Sequence, residues 1–571
     1  MLSLLLTSCG SEAPEPDPQP ALDVMHEHAQ EFTQEVIEVA PGVHVAVGFG
    51  LANSVLLEGD DGIVVVDTME SVEAAADVAD AFRARSDKPL KALVYTHNHG
   101  DHTFGSGAFR ELFDGAPRVL AHDTTAALID RLLNVVRPII GRRSLRMFGT
   151  FLGAETRVHC GIGKELRLDA DSHMDVIRPT ETFSDSWIGS IAGLDIELHH
   201  APGETDDQLF VWLPEQKILL PGDNLYRTFP NLYTIRGTSH RDVQDWVQSL
   251  DHMRALKPEI LIPSHSRPIV GAETVYNVLT DYRDAIQFVH DQTVRGMNQG
   301  LGPDELVERV RLPQHLAASP FLQEHYGTVA WSVRSIFHGY VGWFDGDPAH
   351  LDPHGPAAEA ERMVTLAGGR DAFLTALQTA EAGEDWPWVL ELAGHLHRFD
   401  GSPEATAARV RALEALGRAS SNPNARNTYL TRARELRDGI ELFDVAQISE
   451  DMLHSIPLSA FFQNLAVNLD ADATLDRQQT VSFYFPDVDR HFTVYLRRGV
   501  AEIQAAPADA PDLAVTLPST VFKDLLAKRR GAVGTLASSE LEMTVGNRLE
   551  LGAFLRLFAA EEAEDPAGWT W

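Results

Sequence analysis

Short apolar runs alternate with amphipathic stretches from about residue 36 to residue 270. The runs are rich in Val, Ile and Leu and are bounded by Gly or Asp, which is typical of strands. They cover residues 43–47, 54–57, 63–67, 92–95, 196–200, 209–212, 218–220 and 260–262. Between two of them, Ser71 to Arg85 has a helical period, and Ser71 occupies the N-cap position. This order predicts two sheets covered by helices, an αββα layering.

The pattern changes twice further along the chain. From about 272 to 440 it predicts helix after helix, with no clean repeat of about 34 residues, and this indicates a dimerisation or scaffold domain. Strands return at 481–485, 491–496 and 500–503, followed by helices near 519–528 and 548–557. We therefore expect a multidomain protein with folded domains at 36–271 (αββα), 272–440 (all-α) and 446–571 (α+β).

Length and charge narrow the class of protein. A chain of 571 residues is too long for a single core. The formal net charge of −36, from 47 basic and 83 acidic side chains, argues against nucleic acid or an anionic membrane surface as a partner. The two cysteines, Cys9 and Cys160, provide no disulfide framework. Because no run of 18 apolar residues occurs, we expect no transmembrane helix.

The N-terminus resembles the end of a bacterial lipoprotein signal. Leu6-Thr7-Ser8-Cys9 fits a lipobox, in which Cys9 becomes the lipidated first residue, and the acidic, proline-rich stretch 11–20 has the composition of a flexible tether. No Lys or Arg precedes the short apolar core, which departs from the usual signal. We expect residues 1–35 to be a signal and tether that place the protein in the periplasm or cell envelope.

The densest chemical signal is His97-Asn98-His99-Gly100-Asp101-His102, directly after the apolar run Leu93-Val94-Tyr95. His97 and His99 are two residues apart and can face one metal ion. Asp101 and His102 lie just beyond, where the chain must turn, and can hold a second ion. Nitrogen and carboxylate ligands of this mix suit Zn²⁺ or a similar metal. A polar loop with clustered histidines is the ordinary alternative, and the density of the pattern favours the metal site.

Three further strand ends carry ligand-type residues. Glu204 follows the strand at 196–200, Asp223 follows 218–220, and His265 follows 260–262. Each alone has an ordinary explanation as a turn or a surface residue. Four strand ends that present such residues to one edge of open α/β layers predict a joint site.

With these motifs the chain resembles the metallo-β-lactamase superfamily and, within it, the alkylsulfatase branch. Pro202-Gly203-Glu204-Thr205 stands where most members of the superfamily have Pro-Gly-His-Thr. Asn231 to Gly237 and Gly342-Trp343-Phe344-Asp345-Gly346 match further motifs of the branch. The resemblance covers nearly the whole chain. It implies a metallo-β-lactamase fold, a helical dimerisation domain with a homodimer, and a C-terminal domain similar to sterol carrier proteins.

The resemblance also implies two Zn²⁺ ions per chain and their ligands. One ion would be held by His97, His99 and Glu204, and the other by Asp101, His102 and His265. Asp223 would bridge the two ions where the family usually has Glu, which shortens this arm by one methylene. Asp101 would also orient the attacking water.

Substrate contacts follow from the same resemblance. Asn231 and Arg236 match positions that contact the sulfate group, and the planar guanidinium of Arg suits an oxyanion. Trp331 stands where the family has a sulfate-contacting His, and His325 and His338 are nearby in sequence. Arg267 supports the turn of His265 or contacts the headgroup.

The function implied is metal-assisted hydrolysis of alkyl sulfate esters, with Asp101 and Arg236 as catalytic residues and an apolar groove for the alkyl tail. The replacement at Trp331 leaves open a hydrolase of another ester, such as a phosphate ester or a lactone. A non-catalytic lipid-binding lipoprotein is the third hypothesis, and the intact ligand set argues against it. The sequence leaves attack at carbon and attack at sulfur equally open.

Overall fold

The computed structural model describes residues 19–113, 116–440 and 447–559. The predicted lipobox with Cys9 lies outside these ranges, as do residues 560–571. The described chain opens with helix α1 (Gln19–His28) and a 3-10 turn at Ala29–Phe32. Met25 and Phe32 are buried, so the last part of the segment expected to be a tether is folded against the protein, because its apolar side chains find a core.

The first domain contains fourteen described strands and seven further helices. The strands are β1 (Glu35–Ala40), β2 (Val43–Val47), β3 (Ser54–Glu58), β4 (Ile63–Val66), β5 (Leu90–Val94), β6 (Arg118–His122), β7 (His173–Met174), β8 (Glu181–Phe183), β9 (Ser186–Ile191), β10 (Leu194–His200), β11 (Leu209–Leu213), β12 (Ile218–Leu220), β13 (Ile260–Leu261) and β14 (Ile269–Val270). The helices are α2 (Val72–Arg83), α3 (Gly100–Thr103), α4 (Ser106–Leu112), α5 (Thr125–Asn134), α6 (Arg137–Met147), α7 (Ala154–Arg157) and α8 (Val243–Ala255). As predicted, Ser71 caps α2, and its hydroxyl accepts from the Ala74 amide at 3.2 Å.

Two sheets form the centre of this domain. The first has the order β1-β2-β3-β4-β5-β6-β8, and the second has the order β14-β13-β12-β11-β10-β9. Valine, leucine and isoleucine side chains of both sheets, among them Val45, Val94, Leu198 and Val211, share one buried core. Helices α2, α4 and α5 cover the outer face of the first sheet. The predicted αββα layering is confirmed.

The helical region follows with nine helices among its described residues. They are α9 (Ala272–Met297), α10 (Pro303–Arg309), α11 (Gln314–Ala317), α12 (Val329–Val341), α13 (Pro356–Leu366), α14 (Arg370–Ala382), α15 (Trp386–Asp400), α16 (Pro403–Ala419) and α17 (Pro423–Asp438). Helices α9 and α12 join α8 in one core over the second sheet, through Leu279, Ile286 and Val333. Helices α13 to α16 have a separate core around Phe373 and Leu392. The outer layer of the first domain is therefore completed by helices of this region.

The C-terminal domain is α+β, as predicted. Its elements are β15 (Gln447–Ile448), β16 (Gln478–Phe485), β17 (Arg490–Arg497), β18 (Val500–Gln504), β19 (Leu513–Thr516) and β20 (Glu542–Val545), with α18 (Glu450–Ser455), α19 (Leu458–Val467), α20 (Ser519–Leu526), α21 (Ala532–Ala537) and α22 (Arg548–Leu555). The sheet order is β18-β17-β16-β19-β20, and β16, β17 and β18 form the expected antiparallel meander. Strand β15 pairs with β7 of the first domain. Within the described ranges, none of the helices combines the length and apolarity that crossing a bilayer requires.

Candidate metal centre

The histidine cluster lies at the carboxyl end of β5, in the parallel part of the first sheet. Strand β5 is flanked by β4 and β6, both parallel to it. After β5 the chain bends, and α3 begins at Gly100. His97 and His102 are completely buried, and Asp101 keeps 13% of its side chain exposed. The tight turn into α3 brings the four ligand-type side chains of this segment to one place.

Asp223 and His265 reach the same edge from the second sheet. Strands β12 and β13 are parallel neighbours, so their carboxyl ends lie side by side. Asp223 lies in a 3-10 turn at Gly222–Asn224, and His265 follows β13 in a loop. Gly222 has a φ of 63°, and a Cβ there would lie 1.8 Å from the Gln208 Nε2. Glycine adopts this φ without strain and leaves room for Gln208, and the turn places the Asp223 carboxylate beside the histidines.

Asp223 stands between two groups of ligand-type side chains. Its Oδ2 lies 3.3 Å from His265 Nε2, 3.5 Å from His102 Nε2 and 3.7 Å from His97 Nε2. The two groups are His97, His99 and Asp223, and Asp101, His102 and His265, each with ligand atoms within 4.8 Å of one another. One carboxylate oxygen thus faces imidazole nitrogens of both groups, which is the position of a bridging ligand.

The residues present fit two metal ions. His102 Nε2, His265 Nε2 and Asp223 Oδ1 are buried and have no hydrogen-bond partner among the described residues. Buried polar atoms without partners are costly, and they call for a group that satisfies them. Imidazole and carboxylate donors around a shared oxygen are the set that zinc and similar metals bind.

Asp67 fixes the histidine segment through hydrogen bonds with His102 and Thr96. Its Oδ2 accepts from His102 Nδ1 at 2.7 Å and from the Thr96 hydroxyl at 2.8 Å, while its Oδ1 accepts from the Thr96 amide at 2.9 Å. A carboxylate on the far nitrogen fixes the orientation of a ligating histidine. Asp67 has a φ of 60°, an uncommon conformation for a residue with a side chain. In the sequence Asp67 is recognisable only as the end of a strand, and a carboxylate that ends an apolar strand is the available signal for its role.

His265 is oriented by the backbone, since its Nδ1 lies 2.9 Å from the Leu51 carbonyl oxygen. Burial works against protonation of His102, but the carboxylates of Asp101, Asp223 and Asp67 outweigh it and raise the His102 pKa well above its usual value. Burial and the neighbouring His102 lower the pKa of His97 to about 3. The three carboxylates therefore favour positive charge at this place, whether it is a proton on His102 or a bound cation.

Glu204 lies in the loop between β10 and β11, in a different environment from the two groups. Its Oε1 is 3.0 Å from the Arg241 Nη2, and its Oε2 accepts from the Tyr226 hydroxyl at 3.1 Å. Burial raises the pKa of Glu204, and the charge of Arg241 opposes that shift. Arg241 is itself buried. Nothing in the sequence singles it out, because an arginine before a helix is an ordinary surface feature. The role of Glu204 as a metal ligand stays a prediction.

Arg236 and Asn231 lie beside the metal site. Arg236 Nη2 is 3.2 Å from His99 Nε2. Asn231 is completely buried, and neither of its side-chain amide atoms has a hydrogen-bond partner among the described residues. Arg241 donates to the Asn231 carbonyl oxygen. The amide of Asn231, unpartnered among the described residues, and the guanidinium of Arg236, which contacts His99, are groups here that can donate to an anion.

The other residues considered for the headgroup occupy distinct places. Trp331 is half-buried in the first turn of α12, where its backbone amide donates to the Thr328 hydroxyl at 3.1 Å. His325 stacks on His28 of α1, with 4.0 Å between the ring centres, and His338 is exposed. Arg267 pairs with Glu35, which favours support of the loop over a headgroup contact.

Three family descriptions match consecutive parts of the chain. The family described as the metallo-beta-lactamase superfamily matches residues 47–265. The family described as alkyl sulfatase dimerisation matches residues 302–439, and the one described as alkyl sulfatase C-terminal matches residues 446–564. The fold and the two-group site thus define a metallo-β-lactamase-fold hydrolase.

Similar proteins narrow this class. A linear primary-alkylsulfatase from Pseudomonas sp. is 39% identical over 529 residues, which span 89% of this chain and 99% of the relative. An alkyl/aryl-sulfatase from Saccharomyces cerevisiae is 30% identical over 92% of this chain and 82% of its own length. The solved structure of the stereoselective inverting sec-alkylsulfatase Pisa1 from Pseudomonas sp. superposes with a TM-score of 0.86 at 27% identity, covering 95% of this chain and 87% of that one. The chain belongs to the alkylsulfatase family of sulfuric ester hydrolases, within the metallo-β-lactamase superfamily.

Proposed function

We propose that this enzyme hydrolyses alkyl sulfate esters to an alcohol and sulfate with two zinc ions. The observation that carries the proposal is the Asp223 carboxylate between two ligand groups, with Arg236 at 3.2 Å from His99. A site that joins metal ligands to an arginine suits an anionic ester. The sulfatase names of the relatives support the same substrate class.

His97, His99 and Asp223 would hold one ion, and Asp101, His102 and His265 the other, with Glu204 as the further ligand that the family implies. When bound, two zinc ions lower the pKa of a water molecule to about 7 and so supply a nucleophile at neutral pH. His102 and His265 are kept in place by Asp67 and by the Leu51 carbonyl oxygen. Preorganised ligands of this kind need no rearrangement during the reaction.

The side chains of the enzyme have three tasks in this reaction. Arg236 and the amide of Asn231 would hold the sulfate oxygens and offset the negative charge that repels a nucleophile. Asp101 is the partly exposed carboxylate of the site, and it would accept a hydrogen bond from the attacking water and orient it. An apolar groove would bind the alkyl tail at about 0.8 kcal/mol for each buried CH₂.

Sulfate release from dodecyl sulfate by zinc-loaded protein tests the proposal. We expect turnover that stops when a chelator strips the metal and returns when zinc is restored. An aryl phosphate and an acyl lactone test the alternative ester, which the replacement at Trp331 leaves open. Turnover of either without sulfate release would overturn the proposal. The same reaction in ¹⁸O water distinguishes the two bond cleavages, because attack at carbon labels the alcohol and attack at sulfur labels the sulfate.

We further propose a homodimer formed through residues 302–439, the part that matches alkyl sulfatase dimerisation, and an envelope lipoprotein anchored through Cys9. Light scattering of the purified protein should give twice the chain mass of 62.8 kDa. Expression with Cys9 replaced by Ser should move the protein from the detergent phase to the aqueous phase. A monomer in solution would contradict the proposed homodimer. Equal partition of the unmodified protein and the Cys9→Ser variant between the two phases would contradict the proposed lipid anchor. The likeness of the C-terminal domain to sterol carriers remains an expectation.

A further inference from the structure

We infer that Asp207 is a positioning residue for the metal centre, acting through Asn98. This inference deepens the proposed function and rests on its metal centre. Asp207 lies in the loop between β10 and β11, three residues after Glu204, and it is completely buried. Neither the family motifs nor the two ligand groups include it.

The Asp207 carboxylate joins three segments of the chain. Its Oδ1 accepts from the Asn98 amide at 2.6 Å, and its Oδ2 accepts from the Thr125 hydroxyl at 2.7 Å. Asn98 lies between the ligands His97 and His99, and Thr125 is the first residue of α5. One side chain therefore ties the histidine segment to the Glu204 loop and to a rigid helix.

The position of Asn98 lets its hydrogen bond to Asp207 act on the metal ligands. His97 Nε2 and His99 Nδ1 lie 2.9 Å apart, and the residue between them is fixed by Asp207 on the other side. Beyond this, the segment is tied to β11 through the Leu209 amide, which donates to the Thr96 carbonyl oxygen at 2.9 Å. Loss of the Asp207 carboxylate would leave Asn98 buried without its partner and free to rotate with its neighbours.

Burial makes this carboxylate costly to keep. It raises the pKa of Asp207, and the hydrogen bonds from Thr125 and Asn98 oppose the shift. A buried acid is retained where its hydrogen bonds fix a geometry that an apolar residue would not. Groups that orient metal ligands through such bonds typically change metal affinity by about 10–100-fold when removed.

The test measures zinc binding to the full-length protein after chelation, by competition with a chromophoric chelator. We expect Asp207→Ala to weaken the binding of one of the two zinc ions by about 10–100-fold. Asp207→Asn keeps one acceptor oxygen for Asn98, so this variant should lose less zinc affinity. Asn98→Ala should lose the same zinc affinity. The double variant at Asp207 and Asn98 should bind zinc no more weakly than either single variant. The absorption spectrum of the cobalt-substituted protein should change in the same variants.

Asp130→Ala is the matched control. Asp130 is also a buried aspartate, on the same helix α5, and it pairs with Arg178. Its removal should lower the melting temperature and leave zinc affinity and the cobalt spectrum unchanged. If Asp207→Ala behaves like this control, the role of Asp207 is structural and the inference is wrong. If that variant does not fold, Asn98→Ala alone decides between the two outcomes.

Failure of this inference differs from failure of the proposed function. Zinc affinity is measured without any sulfate ester, so an enzyme that fails to release sulfate still reports on Asp207. Unmodified protein that binds no zinc would overturn both. Normal zinc affinity in Asp207→Ala, together with sulfate release by the unmodified protein, would overturn only the role of Asp207.

Discussion

The metal edge and the C-terminal sheet are built from opposite kinds of buried residue. At the metal edge His97, His102, Asp223 and His265 are almost completely buried. Around the C-terminal sheet the core is aliphatic and aromatic, and Phe462 of α19 stacks on Phe492 of β17 with 4.4 Å between ring centres. The apolar core gains stability by leaving water. The metal edge loses stability until cations satisfy its polar atoms.

This difference separates a region whose buried residues stabilise the fold from a region whose buried residues are of the metal-ligand type. At the metal edge the buried His102 Nε2 and Asp223 Oδ1 have no hydrogen-bond partner among the described residues, whereas no buried polar side-chain atom of the described residues 447–559 is left without one. Such exceptions are expected at functional sites. Substitutions in the two regions should therefore have separable effects, on activity in one and on stability in the other.

The largest effect is expected for His99→Ala. Removal of this ligand should lower the rate of sulfate release by more than about 1000-fold, because a metal with an incomplete set of ligands no longer supplies the nucleophile. Steady-state assays with dodecyl sulfate and metal analysis measure the two effects. The far-ultraviolet circular dichroism should match that of the unmodified protein. Full activity in this variant would show that the ligand assignment is wrong.

Phe462→Ala should have the opposite effect. Phe462 is completely buried and also stacks on Phe522, with 5.1 Å between ring centres. Deletion of a buried phenylalanine typically costs about 3–5 kcal/mol. Urea unfolding should detect this loss of stability, while zinc content and sulfate release per folded molecule stay the same. The exposed Leu549→Ala is the control, with no measurable change. A loss of activity in the folded Phe462 variant would mean that the two regions are coupled.

Local patterns were sufficient to predict most of the fold. The apolar runs predicted strands β2 to β5 and β10 to β13 to within two residues at each end. Of these strands, β4, β11 and β12 are buried along their whole length. The helix after Ser71 followed from its cap. The four ligand-type residues between His97 and His102 were evident because they are close together in the sequence.

Contacts between distant segments could not be predicted in this way. Asp67, Arg241 and Asp207 each have an ordinary explanation in the sequence, as the end of a strand, a surface arginine and a turn acid. Their roles depend on which loops the two sheets bring together. The packing of α1 depends in the same way on the contact between His28 and His325, which is almost 300 residues away in the sequence.

Acid should also weaken the packing of α1. Burial lowers the pKa of His28 to about 3 and that of His325 to about 4. Because these values lie below the ordinary 6.5, the unfolded chain binds the protons first. The stabilisation is complete above about pH 6.5 and is lost as the pH falls toward the folded values.

The loss from His28 should be about 2 kcal/mol between about pH 7 and about pH 5. Thermal unfolding at several pH values measures it, and His28→Gln is the matched variant, because its amide can still donate to the Gly161 carbonyl oxygen. The melting temperature of that variant should depend less steeply on pH. Identical slopes for the two proteins would contradict the burial of a neutral His28.

The smallest effect is expected for Trp331→His, which tests how close the headgroup pocket is to that of the relatives. A Cβ on Gly327 would lie 2.1 Å from the Pro230 carbonyl oxygen and 2.9 Å from the Asn231 Cα, so the segment before α12 is packed on the headgroup loop. An indole donates one neutral N–H, whereas a protonated imidazole donates a charge-assisted bond that is stronger by about 1 kcal/mol. We therefore expect kcat/KM for dodecyl sulfate to rise by about 5-fold, chiefly through KM. Trp331→Phe, which has no donor, should not gain. Equal kcat/KM for the His and Phe variants would place Trp331 outside the pocket, and a pocket without that contact would depend on Arg236 and Asn231 for its selectivity.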